Sequence, residues 1–159
     1  MCICSLSIRP QVARAILAEE LPPGVFASLS AAPVASASLG QVYRGVLASD
    51  GRAVAVKVQR PGLAPSIALD LLLLRAGAPL LQRARGLNTD LVALVDEWGA
   101  RFVDELDYTK EAAAGAAFRA AMDARGLRGS VTAAEVLMPL TTRRCVVPSP
   151  LLTAAPLII

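Results

Sequence analysis

A β-hairpin in the first half of the chain restricts the fold more than any other sequence feature. Residues 41–47 and 52–59 have the composition of strands, and the Asp50-Gly51 pair between them is typical of a tight turn. Strands joined by so short a connection pair antiparallel, because a parallel pair needs a long crossover. The sequence therefore predicts an antiparallel sheet built around this hairpin.

Helical patterns flank the hairpin. Apolar residues recur at helical spacing in three segments, residues 10–20, 64–85 and 90–124. Weaker strand patterns begin at Phe26 and cover residues 135–138 and 143–147. Asn88 or Thr89 is the expected cap of the third helix, which is long and is expected to kink near Asp107. We expect an α+β fold with a small antiparallel sheet and flanking helices.

The composition excludes several kinds of site. The chain has 159 residues, enough for one small domain, and contains no histidine. Ser-His-Asp catalysis, Cys-His catalysis and His-ligated zinc are therefore ruled out, and we expect no metal site. Cys2, Cys4 and Cys145 form neither a C-x-x-C pair nor an even disulfide framework, which indicates a reducing compartment.

The charge pattern gives no support for nucleic-acid binding. Sixteen lysines and arginines against thirteen acidic residues give a net charge of +3, spread along the chain. Residues 21–43 are uncharged but combine proline, glycine and serine, so we do not expect them to span a membrane. Residues 67–81 are more apolar but contain Asp70, Arg75 and Pro79, which favours a helix buried in protein or lying at an interface. Residues 1–8 are neither long nor basic enough for a signal or transit peptide.

A loop of small residues precedes the hairpin. Ala35, Ala37 and Gly40 have the spacing of the G-x-G-x-x-G-x-V loop of kinases, with alanine at the first two glycine positions and Val42 at the last position. Backbone amides in such a loop can bind phosphates, although alanine disfavours positive φ. An ordinary small-residue loop is the alternative interpretation.

Lys57 ends a V-A-V-K segment of the second hairpin strand. Alternation along the strand predicts Val54, Val56 and Val58 on one face, with Ala55 and Lys57 on the other. A small residue beside a lysine suits an adenine ring and a phosphate chain. A solvated lysine on an edge strand is the alternative.

A kinase-type lysine needs a carboxylate on a neighbouring helix. At ~100° per residue, Glu105 lies ~20° from Trp98, on the apolar stripe of the third helix. Glu111 is rotated ~120° from Glu105, and Asp107 lies roughly opposite Trp98, provided that the helix is regular. We therefore predict that Glu105 faces inward and pairs with Lys57.

The stretches PVASASLGQVYRGVL, VAVKVQRPGL and DELDYTKEA resemble the N-terminal lobe of the UbiB/ADCK family of atypical kinase-like ATPases and kinases. The resemblance implies a kinase-like N-lobe that binds ATP or ADP, with magnesium in complete members. It also implies a link to isoprenoid quinone and lipid metabolism, with a membrane surface or proteins of those pathways as partners. On this resemblance, the positions of the alanine-rich loop, nucleotide lysine, E-x-D motif and following glutamate are Ala35, Ser36, Ala37, Ser38, Lys57, Glu105, Asp107 and Glu111.

Other family motifs are absent from these residues. The K-x-G-Q motif does not occur before the first helix, and Asn88, the only asparagine, lies five residues after Arg83 where the catalytic loop needs an aspartate. No aspartate precedes a phenylalanine, so the D-F-G motif is missing too. We expect a partial N-lobe over residues 12–147, a non-family segment at 1–11, a divergent apolar tail at 148–159, no C-lobe, and no turnover by the chain alone.

The sequence leaves two other functions open. The first is a pseudokinase-like scaffold that binds a partner or a membrane surface without nucleotide. The second is a Rossmann-like domain using the loop at Ala35, which is disfavoured because a strand follows where that fingerprint requires a helix. The segments ASASLGQVY and ELDYTKEA are most similar to plastid members, so we expect a plastid location, with a mitochondrion or the bacterial cytoplasm as alternatives.

Overall fold

The computed structural model describes residues 8–127, 131 and 133–149. The chain divides into two compact units. The sheet unit contains the residues up to Arg60 and those from Asp107 onward, and the helix unit is Pro61–Leu106. Cys2, Cys4 and most of the predicted tail lie outside the described residues.

The sheet unit confirms the predicted α+β fold. Its helices are α1 (Pro10–Glu20) and α4 (Tyr108–Ala124), and its strands are β1 (Phe26–Leu29), β2 (Ala35–Ser36), β3 (Gly40–Leu47), β4 (Ala53–Gln59) and β5 (Cys145–Val146). All the pairs are antiparallel, in the order β1-β3-β4-β5, and β2 also pairs with β3. This is the arrangement expected of a kinase-like N-lobe.

The main core lies between α1 and one face of the sheet. Pro10, at the first position of α1, is preorganised for a helix start. Ala13, Ile16 and Leu17 of α1 pack in one cluster with the three buried valines of β4. The predicted alternation of β4 is therefore confirmed, because Val54, Val56 and Val58 are buried while the residues between them are partly exposed.

Helix α4 covers the opposite face. Tyr108 and Ala112 of α4 form a second buried cluster with Val146 of β5. The residues on either side of Val146 in the sequence, Cys145 and Val147, belong to the main core instead. This alternation places the sheet between α1 and α4. The side chain of Lys57 points to the face opposite the β4 valines, so it lies on the α4 face.

The predicted single helix over residues 90–124 is two helices. Helix α3 (Leu91–Glu105) is followed by its C-cap residue, Leu106, and α4 starts directly after Asp107. Asp107 has extended backbone (φ −105°, ψ 97°), and its carboxylate accepts the Thr109 N–H at 3.0 Å. Asp107 is therefore the N-cap of a separate helix, where the sequence predicts a kink in a continuous one. The cap of α3 is Asp90, not Asn88 or Thr89, because its carboxylate accepts two first-turn amides.

The C-terminal strand predictions were partly wrong. At 135–138 the structure has only an isolated bridge between Val136 and Pro148, followed by a short 3-10 helix (Met138–Leu140). The strand predicted at 143–147 is shortened to the two residues of β5. Pro148 accepts the backbone N–H of Ala55 at 3.1 Å, so the sheet-bonded backbone continues one residue into the predicted tail.

The helix unit consists of α2 (Leu63–Arg85) and α3. Leu71 contacts Gly99, where an added Cβ would lie 3.1 Å from its side chain, and Arg75 Nε donates to Asp96 at 2.7 Å. Much of the apolar surface is uncovered: Leu80 is 72% exposed and Trp98 is 60% exposed. Burial of α2, one of its two predicted placements, is therefore wrong, and its other predicted placement, at an interface, stays a prediction. The expected burial of the apolar stripe of α3 at Trp98 is wrong as well. Among the described residues, α2 alone has the length and mean hydropathy (1.4) of a membrane-spanning helix, a combination also found in core helices of soluble proteins.

Candidate active site

Lys57 lies in a cross-strand row on the α4 face of the sheet. The register pairs Ala35 with Val42, Val42 with Lys57, and Lys57 with Val146. Cross-strand partners project from the same face of a sheet, so the alanine loop and the lysine share one surface. Ala55, two residues before Lys57, has its side chain on this surface as well.

The carboxylate that contacts Lys57 belongs to Glu111. Lys57 Nζ donates to both oxygens of Glu111, each at 2.9 Å. The lysine side chain is only 15% exposed, whereas that of Glu111 is 43% exposed. Glu111 lies in the first turn of α4, where a negative charge is favoured by the helix dipole. This ion pair therefore has one shielded partner and one partner open to solvent.

The predicted pairing of Lys57 with Glu105 is replaced by the pairing with Glu111. The ~120° rotation between Glu105 and Glu111 holds only for one continuous helix, and residues 106–107 interrupt the helix. Glu105 is the last residue of α3, is exposed, and belongs to the helix unit. Its predicted role in the E-x-D motif stays a prediction.

Asp107, the second acidic residue of that motif, has a local structural role. Its carboxylate accepts the Thr109 N–H, the Thr109 hydroxyl and, at 3.1 Å, Arg143 Nε. The hydrogen bond from the Thr109 hydroxyl and, after it, the Arg143 guanidinium hold the pKa of Asp107 below its usual value. The Tyr108 N–H also donates to the Arg143 carbonyl at 3.2 Å, which ties the start of α4 to the segment before β5.

The Tyr108 ring packs against the ammonium group of Lys57. Lys57 Nζ lies 4.5 Å from the centroid of the Tyr108 ring, a cation–π distance. The tyrosine is fully buried, and its hydroxyl has no hydrogen-bond partner among the described residues. Burial and then the negative charge of Glu111 raise the pKa of Tyr108, so the phenol is neutral.

The alanine loop is held by main-chain contacts. The Ala37 N–H donates to the Gly40 carbonyl at 2.8 Å, and Arg60 Nη2 donates to the Ala37 carbonyl at 2.9 Å. Gln41, fully buried, accepts the Tyr43 hydroxyl at 2.9 Å and donates to Ser36 Oγ at 3.4 Å. The side chains of Ala35, Ser36, Ala37 and Ser38 are exposed. Among the described residues positive φ occurs only at glycines, so these four keep the negative φ expected of L residues.

Gly40 has a packing role that the kinase-loop pattern does not suggest. A Cβ on Gly40 would lie 2.6 Å from the Val58 carbonyl oxygen and 2.8 Å from the Tyr108 hydroxyl. Its φ is not positive. A glycine is therefore required by the close approach of β4 and α4, in a position where the pattern predicts a phosphate contact.

Other candidate features lie elsewhere. A groove of about 550 Å³ in the helix unit is lined by residues such as Leu71 and Val95 and contains none of the predicted site residues. No group of three or more potential metal ligands occurs in the described part of the chain.

Cys145 is a buried free thiol on β5, and burial raises its pKa to about 12. It is an inert core residue.

Sequence reasoning missed Tyr108, Arg60 and Gln41. Tyr108 follows the helix-capping Asp107 and precedes Glu111 by three residues, and residues three apart share a helix face. The spacing between Tyr108 and Glu111 identifies the aromatic residue once the start of α4 at Asp107 is known. The contacts of Arg60 and Gln41 depend on tertiary structure and have no sequence signal.

The sequence matches the model of the ABC1 atypical kinase-like domain over residues 9–149. It is 52% identical over 95 residues to an uncharacterized chloroplastic aarF domain-containing protein kinase of Arabidopsis thaliana, covering 60% of this chain and 14% of that protein. It is 42% identical over 122 residues to the chloroplastic protein Activity of BC1 Complex Kinase 1 of the same plant, covering 70% of this chain and 18% of that protein.

A bacterial relative matches in the same way. The chain is 41% identical over 97 residues to the probable protein kinase UbiB of Cellvibrio japonicus, covering 60% of this chain and 17% of that protein. The chain thus spans less than one fifth of the length of these relatives. Because the family model covers most of the chain, the protein belongs to the ABC1 atypical kinase-like family, the UbiB/ADCK family that the sequence motifs predicted.

Proposed function

We propose that this chain is the nucleotide-binding part of an ABC1-family kinase-like protein and binds ATP or ADP through Lys57. The observation that carries the proposal is the pair of 2.9 Å contacts between Lys57 and Glu111, on the face that the alanine loop shares. A lysine held in this way by a helix carboxylate is the part of a kinase site that positions the α- and β-phosphates.

The residues around Lys57 have separate roles in this proposal. Ala35 and Ala55 leave room above the sheet for the adenine ring, and Lys57 donates to the phosphates. Glu111 orients the ammonium, and the backbone of residues 35–38 lies alongside the phosphate chain. The Ala37 N–H is engaged by Gly40, so fewer loop amides are available than in a flexible glycine loop.

Phosphoryl transfer is not part of the proposal for the chain alone. Magnesium, when bound in complete kinases, neutralises the charge that develops on the transferred phosphoryl group. The donor set for it does not fit here, because the 159 residues contain no D-F-G motif and no catalytic-loop aspartate and asparagine. We propose that these residues bind nucleotide without turning it over.

Calorimetric titration with ADP and ATP tests the proposal. Lys57→Met is expected to weaken both affinities at least tenfold, because the ammonium that contacts the phosphates is removed. Lys110→Met is the matched control, since Lys57 and Lys110 are the only lysines, and it should bind like the wild type. Equal affinities for wild type and Lys57→Met would refute the nucleotide site.

We propose a plastid location, which is supported by the two plant relatives that are named chloroplastic. We propose a role in isoprenoid quinone or lipid metabolism on the family resemblance of the sequence motifs alone. Fractionation of the source cells with an antibody to the chain tests the location. Recovery in mitochondria or in the cytoplasm would contradict it.

The helix unit favours a second candidate function, a nucleotide-independent scaffold. Leu72, Leu73 and Leu80 of α2 are each more than 60% exposed, and uncovered apolar surface of this kind favours association with a partner or a membrane surface. Flotation with lipid vesicles that persists in Lys57→Met and without nucleotide would support the scaffold. A monodisperse monomer that binds neither vesicles nor a hydrophobic dye would refute it.

A further inference from the structure

We propose that the ring of Tyr108 is a positioning element for Lys57, and that its aromatic face, not its hydroxyl, does this. The inference deepens the proposed nucleotide site and rests on it for its functional consequence. Its structural part, the placement of the lysine by the ring, is independent of nucleotide.

The geometry encloses the ammonium on two sides. The Tyr108 ring centroid lies 4.5 Å from Lys57 Nζ, and both Glu111 oxygens lie 2.9 Å from the same atom. Tyr108 and Glu111 are three residues apart on α4 and therefore share a helix face. One helix turn thus supplies both a neutral support and a charged partner.

The ring cannot easily shift away from the lysine. Tyr108 is fully buried with Ala112 and Val146, and its hydroxyl lies against Gly40, where an added Cβ would be only 2.8 Å away. The far end of the ring is therefore fixed by the main chain of β3. A rigid ring limits the positions that the Lys57 side chain can take.

The hydroxyl itself makes no compensating contact. It is buried without a hydrogen-bond partner among the described residues, an arrangement that costs stability. A phenylalanine would keep the aromatic face and remove the unsatisfied group. The function of this position therefore resides in the ring.

The ring also leaves the lysine able to bind a phosphate. An ammonium has three donors, and two are directed to Glu111 in this structure. Attraction to the ring quadrupole does not require a hydrogen bond. One donor consequently remains for a nucleotide oxygen while the lysine is held in place.

Lysine NMR on the full chain tests the placement directly. With only two lysines, ¹³Cε-labelled lysine gives two methylene signals, which Lys110→Arg assigns. The ε-methylene protons of Lys57 should be shifted upfield by the ring in wild type and in Tyr108→Phe, and the shift should vanish in Tyr108→Leu or Tyr108→Met. An unshifted Lys57 signal in the folded wild type overturns the proposal without any variant.

ADP titration of the same samples tests the consequence. Tyr108→Phe should bind within twofold of wild type, whereas Tyr108→Leu should bind about threefold to tenfold more weakly. Ile16→Val is the structural control, because it loosens the main core on the other face of the sheet and leaves the cluster around the ring intact, so it should lower stability without changing the lysine shift or the affinity.

The outcomes separate the two proposals. A Tyr108→Phe variant as weak as Tyr108→Leu, or a Tyr108→Leu variant with unchanged lysine shift and affinity, overturns the role of the ring. If wild type binds no ADP while the ring-dependent shift is present, the nucleotide site is refuted and the positioning of Lys57 is supported.

Discussion

Gly40→Ala should destabilise the sheet unit by about 2 kcal/mol. The added methyl group would lie 2.6 Å from the Val58 carbonyl oxygen, so β4 must move by roughly 0.8 Å to reach an ordinary contact. Overpacking of this kind costs about 1–3 kcal/mol, and the upper end applies because the obstructing atom is main chain. The replacement of a strand glycine recovers about 0.5–1 kcal/mol.

Gly115→Ala is the matched control for this substitution. Gly115 lies inside α4, and an added Cβ there meets nothing within 4 Å. The same chemical change should therefore stabilise the protein by about 1 kcal/mol through helix propensity. Gly40→Ala should lower the free energy of unfolding and Gly115→Ala should raise it. Because both variants replace glycine by alanine, the difference in sign must come from the surroundings of the two positions.

Thermal and urea unfolding, followed by far-UV circular dichroism, provide the measurement. A loss of about 2 kcal/mol corresponds to a fall of roughly 4–8 °C in melting temperature for a chain of this size. Hydrogen exchange of β3 peptides should show faster exchange in Gly40→Ala alone. If Gly40→Ala is as stable as wild type while Gly115→Ala behaves as expected, the close packing of Gly40 on Val58 and Tyr108 is refuted.

Three more predictions concern single side chains. The pKa of Asp107 in the folded protein is lower than the ordinary aspartate value of about 4, so its charge stabilises the fold at every pH above that ordinary value. This stabilisation is lost as the pH falls through the pKa of Asp107 in the folded protein. Asp107→Asn should therefore be less stable than wild type at pH 7, with a difference that shrinks in acid melts, and Asp107→Ala should lose a further ~1 kcal/mol with the cap. The Cys145 thiol, buried and with a pKa of about 12, should resist iodoacetamide at pH 8 until the protein is unfolded, as peptide mass spectrometry would show. Ala37→Gly should raise affinity for ATP relative to ADP, because glycine opens positive φ and frees the loop to approach the terminal phosphate; an unchanged ratio in calorimetry would contradict this.

The sheet could be predicted from sequence because its signals are local. The hairpin turn, the alternation that separates Val56 from Lys57, and the proline at the start of α1 each depend on neighbouring residues. The burial of the valines and the position of Lys57 on the opposite face follow from those signals. The same reasoning extends to the row that joins Lys57 to Val42, because antiparallel register is set by the turn.

The partner of Lys57 could not be predicted in the same way. The apolar periodicity of α3 continues into residues that belong to α4, and periodicity alone does not show a break between two helices. The decisive residue was Asp107, whose carboxylate caps α4 through Thr109. An aspartate inside a continuous helical pattern is usually a solvated surface residue, so its capping role becomes visible only when Arg143 and the segment before β5 are in place.

The cap explains why Glu111, and not Glu105, reaches the lysine. Asp107 fixes the first turn of α4, and the Tyr108 N–H is tied to the Arg143 carbonyl, so the rotation of the helix about its axis is set at its first residue. Tyr108 and Glu111 then face Lys57 together, because three residues at ~100° each return close to the same side of the helix. The acidic residue at 107 thus contributes to the site through the backbone it orders, and the five residues from 107 to 111 supply cap, ring and carboxylate in one turn.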